Sequence, residues 1–302
     1  MIVRVLQLVK LGTVYRQLTP LDFSILSAVE RGMANYEYVP LDYVERLVNA
    51  PATRVERSLE KLRDLKLIKR WSESYRGFRL TYLGLDMLAL RTLVKEGVLE
   101  AIGDKLGVGK ESELYRARAP GGLLVIVKLL RIGCRSFRST KRTRSFVENP
   151  QLNWYAQSKI AAEREYRALL ELFKAGGLVP RPYAWNRHAV VISCINGVEL
   201  YRRPKLNDPG RALMDVLETT RKAYVDVGIV HGDLSEYNVI VSVENERAYV
   251  IDWPQYVEKD HPSAPSLLKR DVEYIVRFFN KIYGVRLSVD RAFSYVTSGG
   301  KL

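Results

Sequence analysis

Apolar residues recur at helical spacing up to about Gly97, and beyond it the pattern shifts to short apolar runs between helical stretches. Leu21, Ile25, Leu26 and Val29 follow Pro20 and stop at Arg31 and Gly32, which predicts a first helix. Val44, Leu47 and Val48 share one face after Pro40, with Pro51 as the stop. Thr53 is the expected N-cap of a third helix carrying Val55, Leu59, Leu62 and Leu65. Residues 67–71 and 78–81 flank a turn and predict a two-stranded hairpin. Strands are expected at residues 123–129, 189–194, 239–243 and 248–252, with a helix from about residue 158 to 175 closed by Gly176 and Gly177. No repeat and no low-complexity linker interrupts the chain. The boundary is placed near residues 92–98, through a continuous helix, giving an α+β chain with domains at 1–92 and 93–302.

Helix, helix–turn–helix and hairpin in that order resemble the winged-helix family over roughly residues 1–90. The third helix bears Arg54, Arg57, Lys61 and Arg63, as a helix lying on nucleic acid would, although an amphipathic helix with a solvated basic face reads the same way. The formal net charge of +14 favours a polyanionic partner. Cys134 and Cys194 have no paired spacing, which excludes a disulfide scaffold and a zinc motif and fits a reducing cytoplasm. No signal peptide or apolar run of membrane-spanning length is present, so no membrane role is expected.

Candidate chemistry gathers after residue 100. Gly107 and Gly109 flank Val108 and are followed by Lys110, Glu111 and Ser112. Glycines so spaced let a backbone approach phosphate oxygens, and a plain hairpin turn explains them equally well. Lys128 lies in an apolar β-branched run, where a buried ammonium needs a negative partner. The helix over 158–175 offers Glu163 and Glu165. Glu165 shares a stripe with Ala161, Ala168, Leu169 and Leu172 and is expected to face inward, whereas Glu163 lies beside Arg167 and Lys174 and faces solvent.

The segment HGDLSEYN, from His231 to Asn238, is followed by Val250, Ile251 and Asp252. It matches the kinase pattern H-x-D-x-x-x-x-N with a second aspartate at the end of a strand. Asp233 can accept a hydroxyl proton or orient a water, while Asn238 and Asp252 offer hard oxygen ligands to Mg²⁺ on ATP phosphates. Against ordinary protein kinases, Ser112 replaces the third glycine of the loop and Ser235 replaces a lysine. Trp253, Pro254 and Gln255 replace Phe-Gly, and the stretch from Asp252 to Asp271 has no A-P-E element and leaves little room for an activation loop or a peptide-docking lobe.

The strings GVGKESELY, HGDLSEYN and IDWPQ together resemble the RIO family of atypical protein kinases, and the winged helix ahead of them resembles its Rio-two subfamily. The resemblance implies a compact bilobal kinase domain, with an N-lobe at about 93–192 and a C-lobe at about 196–302. It implies ATP with Mg²⁺, or Mn²⁺, held by the loop from Gly107 to Ser112, by Lys128 and Glu165, and by Ile192 guarding a hinge of Ser193, Cys194 and Ile195. Asp233, Lys128 and Asp252 are the implied catalytic residues, with Asp252 also a phosphoryl acceptor. The implied role is a serine/threonine kinase or ATPase switch in maturation of the small ribosomal subunit.

Residues 131–147 carry Arg131, Arg135, Arg138, Lys141, Arg142 and Arg144 with no acidic residue. Ser136, Ser139, Thr140, Thr143 and Ser145 between them are the autophosphorylation candidates of the family's loop. The charge also suits the rRNA of a small-subunit precursor, as does the winged helix. The other readings are a small-molecule kinase of the aminoglycoside or choline type, which has no use for so basic a chain, and a non-enzymatic assembly factor with a nucleotide switch.

Overall fold

The computed structural model describes residues 11–109, 111–132 and 154–298. After α1 (Leu11–Gln17), Thr19 accepts the Asp22 amide while the Asp22 carboxylate accepts the Thr19 amide, a capping box that opens α2 (Pro20–Gly32). There follow β1 (Val39–Pro40), α3 (Leu41–Leu47), α4 (Ala52–Asp64), β2 (Ile68–Trp71), β3 (Gly77–Leu80) and α5 (Tyr82–Lys95). The three strands form an antiparallel sheet in the order β1–β3–β2, so the expected hairpin gains a strand.

Three expectations need correction here. Leu47 does not face the core: it is 43% exposed, while Val44 and Val48 are buried and the chain leaves helical geometry at Val48. Thr53 is not an N-cap. The Pro51 carbonyl accepts the amides of Arg54 (2.9 Å) and Val55 (3.1 Å), so α4 starts before Thr53 and has no side-chain cap. The helix through residues 92–98 is not continuous. α5 ends at Lys95, Gly97 takes φ +69°, and the Val98 amide turns back to the Leu93 carbonyl at 2.9 Å.

Asp22 joins α2 to α4. Its carboxylate, 1% exposed, accepts from the Thr19 amide (2.8 Å), from Lys61 Nζ (2.7 Å) and from the Ser58 hydroxyl. Burial opposes its charge, but the hydrogen bonds from Lys61, Ser58 and Thr19 outweigh that and hold the carboxyl below the usual aspartate range. A depressed carboxyl pKa contributes stability above the unfolded value, ~4, that is lost as pH falls through the folded one. Asp22→Asn should therefore destabilise this helical unit by about 2 kcal/mol at neutral pH and flatten its acid-unfolding limb. Amide hydrogen exchange in α2 and α4 measures both.

β4 (Ala101–Val108) and β5 (Ser112–Arg118) are neighbouring strands, so the glycine-bearing stretch forms the tip of a hairpin. The described residues up to Gly107, together with Leu114–Leu124, cluster as one compact unit, which extends beyond residue 92. Val108–Glu113 and the described residues from Val125 onward form the other.

β6 (Leu124–Leu130) starts one residue later than expected, and Val125 is its first buried residue. Then come α6 (Trp154–Lys174), β7 (Pro182–Asn186) and β8 (Ala189–Ser193), with β8 antiparallel to both β6 and β7. α6 begins ahead of Ser158, whose buried hydroxyl accepts the Ile132 amide at 3.0 Å. Its inward stripe is Ala161, Ala162, Glu165, Ala168, Leu169 and Leu172.

Next are β9 (Gly197–Glu199), α7 (Pro209–Lys222), β10 (Ile229–Val230), β11 (Val239–Ser242), β12 (Ala248–Val250), β13 (Val257–Glu258), α8 (Ala264–Tyr283) and α9 (Val289–Ser298). β11 lies between β12 and β9, and β10 pairs with β13. Val239, Val250 and Trp253 pack in one core with Val272, Ile275, Phe279 and Val296 of the closing helices, which fixes the loops on either side of β11 and β12. Among the described residues no helix is long and apolar enough to cross a membrane.

Candidate active site

Strand β6 is buried along most of its length, and Lys128, 6% exposed, sits within it opposite Val190 of β8. Its ammonium meets Glu165 Oε1 at 2.5 Å and Asp252 Oδ1 at 2.6 Å. α6 thus turns Glu165 inward, while Glu163 pairs with Arg167 on the surface at 2.6 Å. Burial alone would disfavour the Lys128 charge, but the carboxylates of Asp252 and Glu165 outweigh it and hold the ammonium protonated well above its ordinary range. Burial pushes the Glu165 carboxyl up, against the pull of Lys128. Asp252 is also penalised by its surroundings, yet Lys128 holds it below the usual aspartate range, so it remains ionised at neutral pH.

Asp252 follows β12 with φ +68°, a left-handed conformation that aspartate tolerates better than most residues. This turn aims one carboxylate oxygen at Lys128 and leaves the side chain 46% exposed. The Asn238 Nδ2 donates to the Asp233 carbonyl at 2.8 Å, which leaves Oδ1 as the side-chain acceptor. The Ile251 amide donates to the Asn238 carbonyl at 2.9 Å, tying the loop to the strand end. Asp233 is exposed in the same loop.

Groups of three or more His, Cys, Asp or Glu side chains able to hold a metal are absent among the described residues. A two-ligand set of Asn238 Oδ1 and Asp252 fits Mg²⁺, which keeps waters and takes phosphate oxygens instead of filling an all-protein cage. The residues present therefore fit a nucleotide-borne magnesium ion.

At the hairpin tip, the Gly109 amide donates to the Ser112 carbonyl at 2.8 Å. A Cβ at Gly109 would come within 3.3 Å of Ser112 Oγ, a tight contact, whereas one at Gly107 would meet nothing within 4 Å, so Gly109 is the more confined of the two. Glu111 Oε2 accepts from Gln255 Nε2 at 3.2 Å. Ile192 is partly buried and packs on the main core, and Ile126 stands opposite it. The Ser193 amide and hydroxyl are engaged with the backbone of Arg181, at 2.8 and 3.0 Å. Cys194 has intermediate exposure, and Ile195 lies in the irregular stretch after β8. Lys110, the side chain of Val108, and residues 133–147 with Ser136, Ser139, Thr140, Thr143 and Ser145 lie outside the described residues.

Two further residues, Asp271 and Arg164, build the site without having been given a role from sequence, as does His231, which the loop motif named without a role. Asp271, 1% exposed on α8, accepts the amides of Gly232 (2.7 Å) and Leu234 (3.3 Å) and so grips both sides of Asp233. A lone carboxylate among Leu268, Val272, Ile275 and Val276 was the available signal. His231 accepts the Asp233 amide on Nδ1 (3.3 Å), so its Nε2 carries the proton donated to the Ile251 carbonyl (3.0 Å). Its ring packs on Trp253 at 4.5 Å between centroids. Arg164, beside Glu165, donates to the Tyr256 carbonyl at 2.5 Å and covers the Tyr256 ring, fixing the segment after Asp252.

The RIO domain family matches residues 113–292, and the Rio2 N-terminal family matches residues 15–96. The RIO-type serine/threonine-protein kinase Rio2 of Methanocaldococcus jannaschii is 36% identical over 279 residues, covering 88% of this chain and 100% of that relative. The serine/threonine-protein kinase rio2 of Dictyostelium discoideum is 35% identical over 267 residues, and this chain spans only about half, 51%, of its length. The crystal structure of the Rio2 kinase–ADP/Mg²⁺–phosphoaspartate complex from Chaetomium thermophilum superposes with a TM-score of 0.80 at 30% identity, over 95% of this chain and 89% of that one. An N-terminal domain of the Rio2 kind followed by a RIO domain means that this chain belongs to the RIO family of serine/threonine protein kinases, in its Rio2 group.

Proposed function

We propose that the chain transfers the γ-phosphoryl group of ATP, with Mg²⁺, and acts as a nucleotide switch in maturation of the small ribosomal subunit in the cytoplasm. The observation that carries the chemistry is Lys128, held protonated between Glu165 on α6 and Asp252 after β12. A fixed buried cation of this kind positions phosphate oxygens and offsets charge that develops as the phosphoryl group leaves ADP. Asn238 and Asp252 would hold the metal ion, which neutralises phosphate charge when bound. Asp233, exposed at the loop and fixed through its backbone by His231 and Asp271, accepts the proton of an attacking hydroxyl or orients a water.

The acceptor follows from the segment after Asp252. Trp253 and Tyr256 are buried, β13 pairs with β10, and α8 begins at Ala264, so little free chain remains there to dock a peptide. Asp252 itself is half exposed, and the Chaetomium relative carries a phosphoaspartate. In this reading an Asp252 oxygen forms a bond to the γ-phosphorus as the bond to ADP breaks. Water then cleaves the acyl phosphate, restoring the carboxylate and releasing inorganic phosphate. The partner would be precursor rRNA, met by the winged helix and by the basic segment 131–147.

Incubation with γ-labelled ATP followed by hydroxylamine tests the acceptor. Label on the protein that hydroxylamine removes, and that Asp252→Asn never acquires, is the expected result. Only hydroxylamine-stable label would instead assign the chemistry to serine or threonine.

A further inference from the structure

The basic residues expected on α4 are only partly available. Lys61 is turned to the buried Asp22 carboxylate, Arg63 pairs with Asp64 at 3.0 Å, and Glu56 and Glu60 lie along the same helix. The three-stranded sheet offers a different surface. Lys69 stands opposite Arg79 and Trp71 opposite Gly77, so these four share one face, while Ile68, Phe78 and Leu80 are buried on the other. The β1–β3 register of Val39 with Phe78 carries Tyr38 to a place opposite Arg79, on that same outer face.

There the Tyr38 and Trp71 rings stack, with centroids 5.4 Å apart and planes inclined by 29°. They close over Gly77, where a Cβ would fall 2.9 Å from Tyr38 Cβ and 2.8 Å from the Tyr75 ring. The Tyr75 hydroxyl donates to the Tyr38 carbonyl at 2.7 Å, which secures the wing against the stack. Lys69 is exposed and has no ion-pair partner among the described residues, and Arg79 lies 3.4 Å from the exposed Glu37. A pre-assembled aromatic pair flanked by cations on an open sheet face is the arrangement that takes splayed bases together with their phosphates. A duplex keeps its bases stacked on one another and cannot use it.

We propose that this sheet face binds single-stranded RNA, with a base stacked on the Tyr38–Trp71 pair and neighbouring phosphates meeting Lys69 and Arg79. The choice of occupant rests on the rRNA reading above, whereas the surface rests on the strand register and ring geometry alone.

Fluorescence anisotropy with a labelled mixed-sequence RNA 12-mer, its duplex and the same sequence as DNA provides the test. The full chain should prefer the single-stranded RNA. Trp71→Ala should weaken binding about tenfold or more, and Trp71→Phe, which keeps a ring, should recover most of it. Lys69→Ala should lower the slope of log affinity against log salt by about one. Phosphotransfer should be unchanged in all three variants, which separates this surface from the kinase chemistry and reports an intact second unit. Unaltered RNA affinity in Trp71→Ala, equal loss in Trp71→Phe, or tighter binding to duplex or DNA would overturn the proposal.

Discussion

Replacing Asp233 by asparagine is expected to lower the release of inorganic phosphate from ATP by about 10²–10⁴-fold while ATP binding stays near its original strength. The separation follows from how the residue is held. Its backbone makes structural bonds: the amide donates to His231 Nδ1 and the carbonyl accepts from Asn238 Nδ2. The loop is gripped on both sides by Asp271 through Gly232 and Leu234. An amide at position 233 leaves those backbone contacts in place and removes the carboxylate that takes a proton from, or orients, the water that cleaves the acyl phosphate. Isothermal titration with ATP and initial rates of phosphate release measure the two halves. Unchanged release would take Asp233 out of the reaction.

Lys128→Met should have the largest combined effect. Removing one partner of a buried ion pair typically costs about 3–5 kcal/mol, because Glu165 loses its counter-charge in a site that is 1% exposed. Half-exposed Asp252 can be rehydrated and should add less. The unfolding midpoint of the second unit should therefore fall, and phosphotransfer should be lost. Combining Lys128→Met with Glu165→Leu should recover most of the stability, since apolar side chains can replace a buried pair at little cost, and should recover none of the transfer. Denaturant unfolding beside label transfer distinguishes the outcomes. If the double variant were as unstable as the single one, Glu165 would not be the group left stranded.

The parts of this chemistry visible in the sequence are those where periodicity and charge conflict. Lys128 interrupts an apolar strand, and Glu165 falls on the stripe of Ala161, Ala168 and Leu172, so burial of each demanded the other. The loop from His231 to Asn238 was legible because its residue types recur at fixed spacing. Features set by backbone carbonyls were not. α4 begins on the Pro51 carbonyl and passes over Thr53, and α5 ends by a bond from Val98 back to Leu93. β4 and β5 were hidden because the run from Ala101 to Val108 includes Gly103, Asp104, Lys105 and Gly107 and reads as loop. Lys61 looked like a surface cation, and only packing of α4 on α2 brings it to Asp22. Asp271 carried a usable signal, a carboxylate in the apolar stripe of α8, whose partners are amides that no side-chain pattern reveals.

The most direct measurement is of label from γ-labelled ATP with Mg²⁺, followed over time on the protein and as free phosphate, with and without small-subunit precursor particles. A switch of the kind described predicts slow phosphate release, a hydroxylamine-labile label on the chain itself, and a change in both when the particle is added. Fast transfer to an outside polypeptide with no labile label on the chain would contradict it.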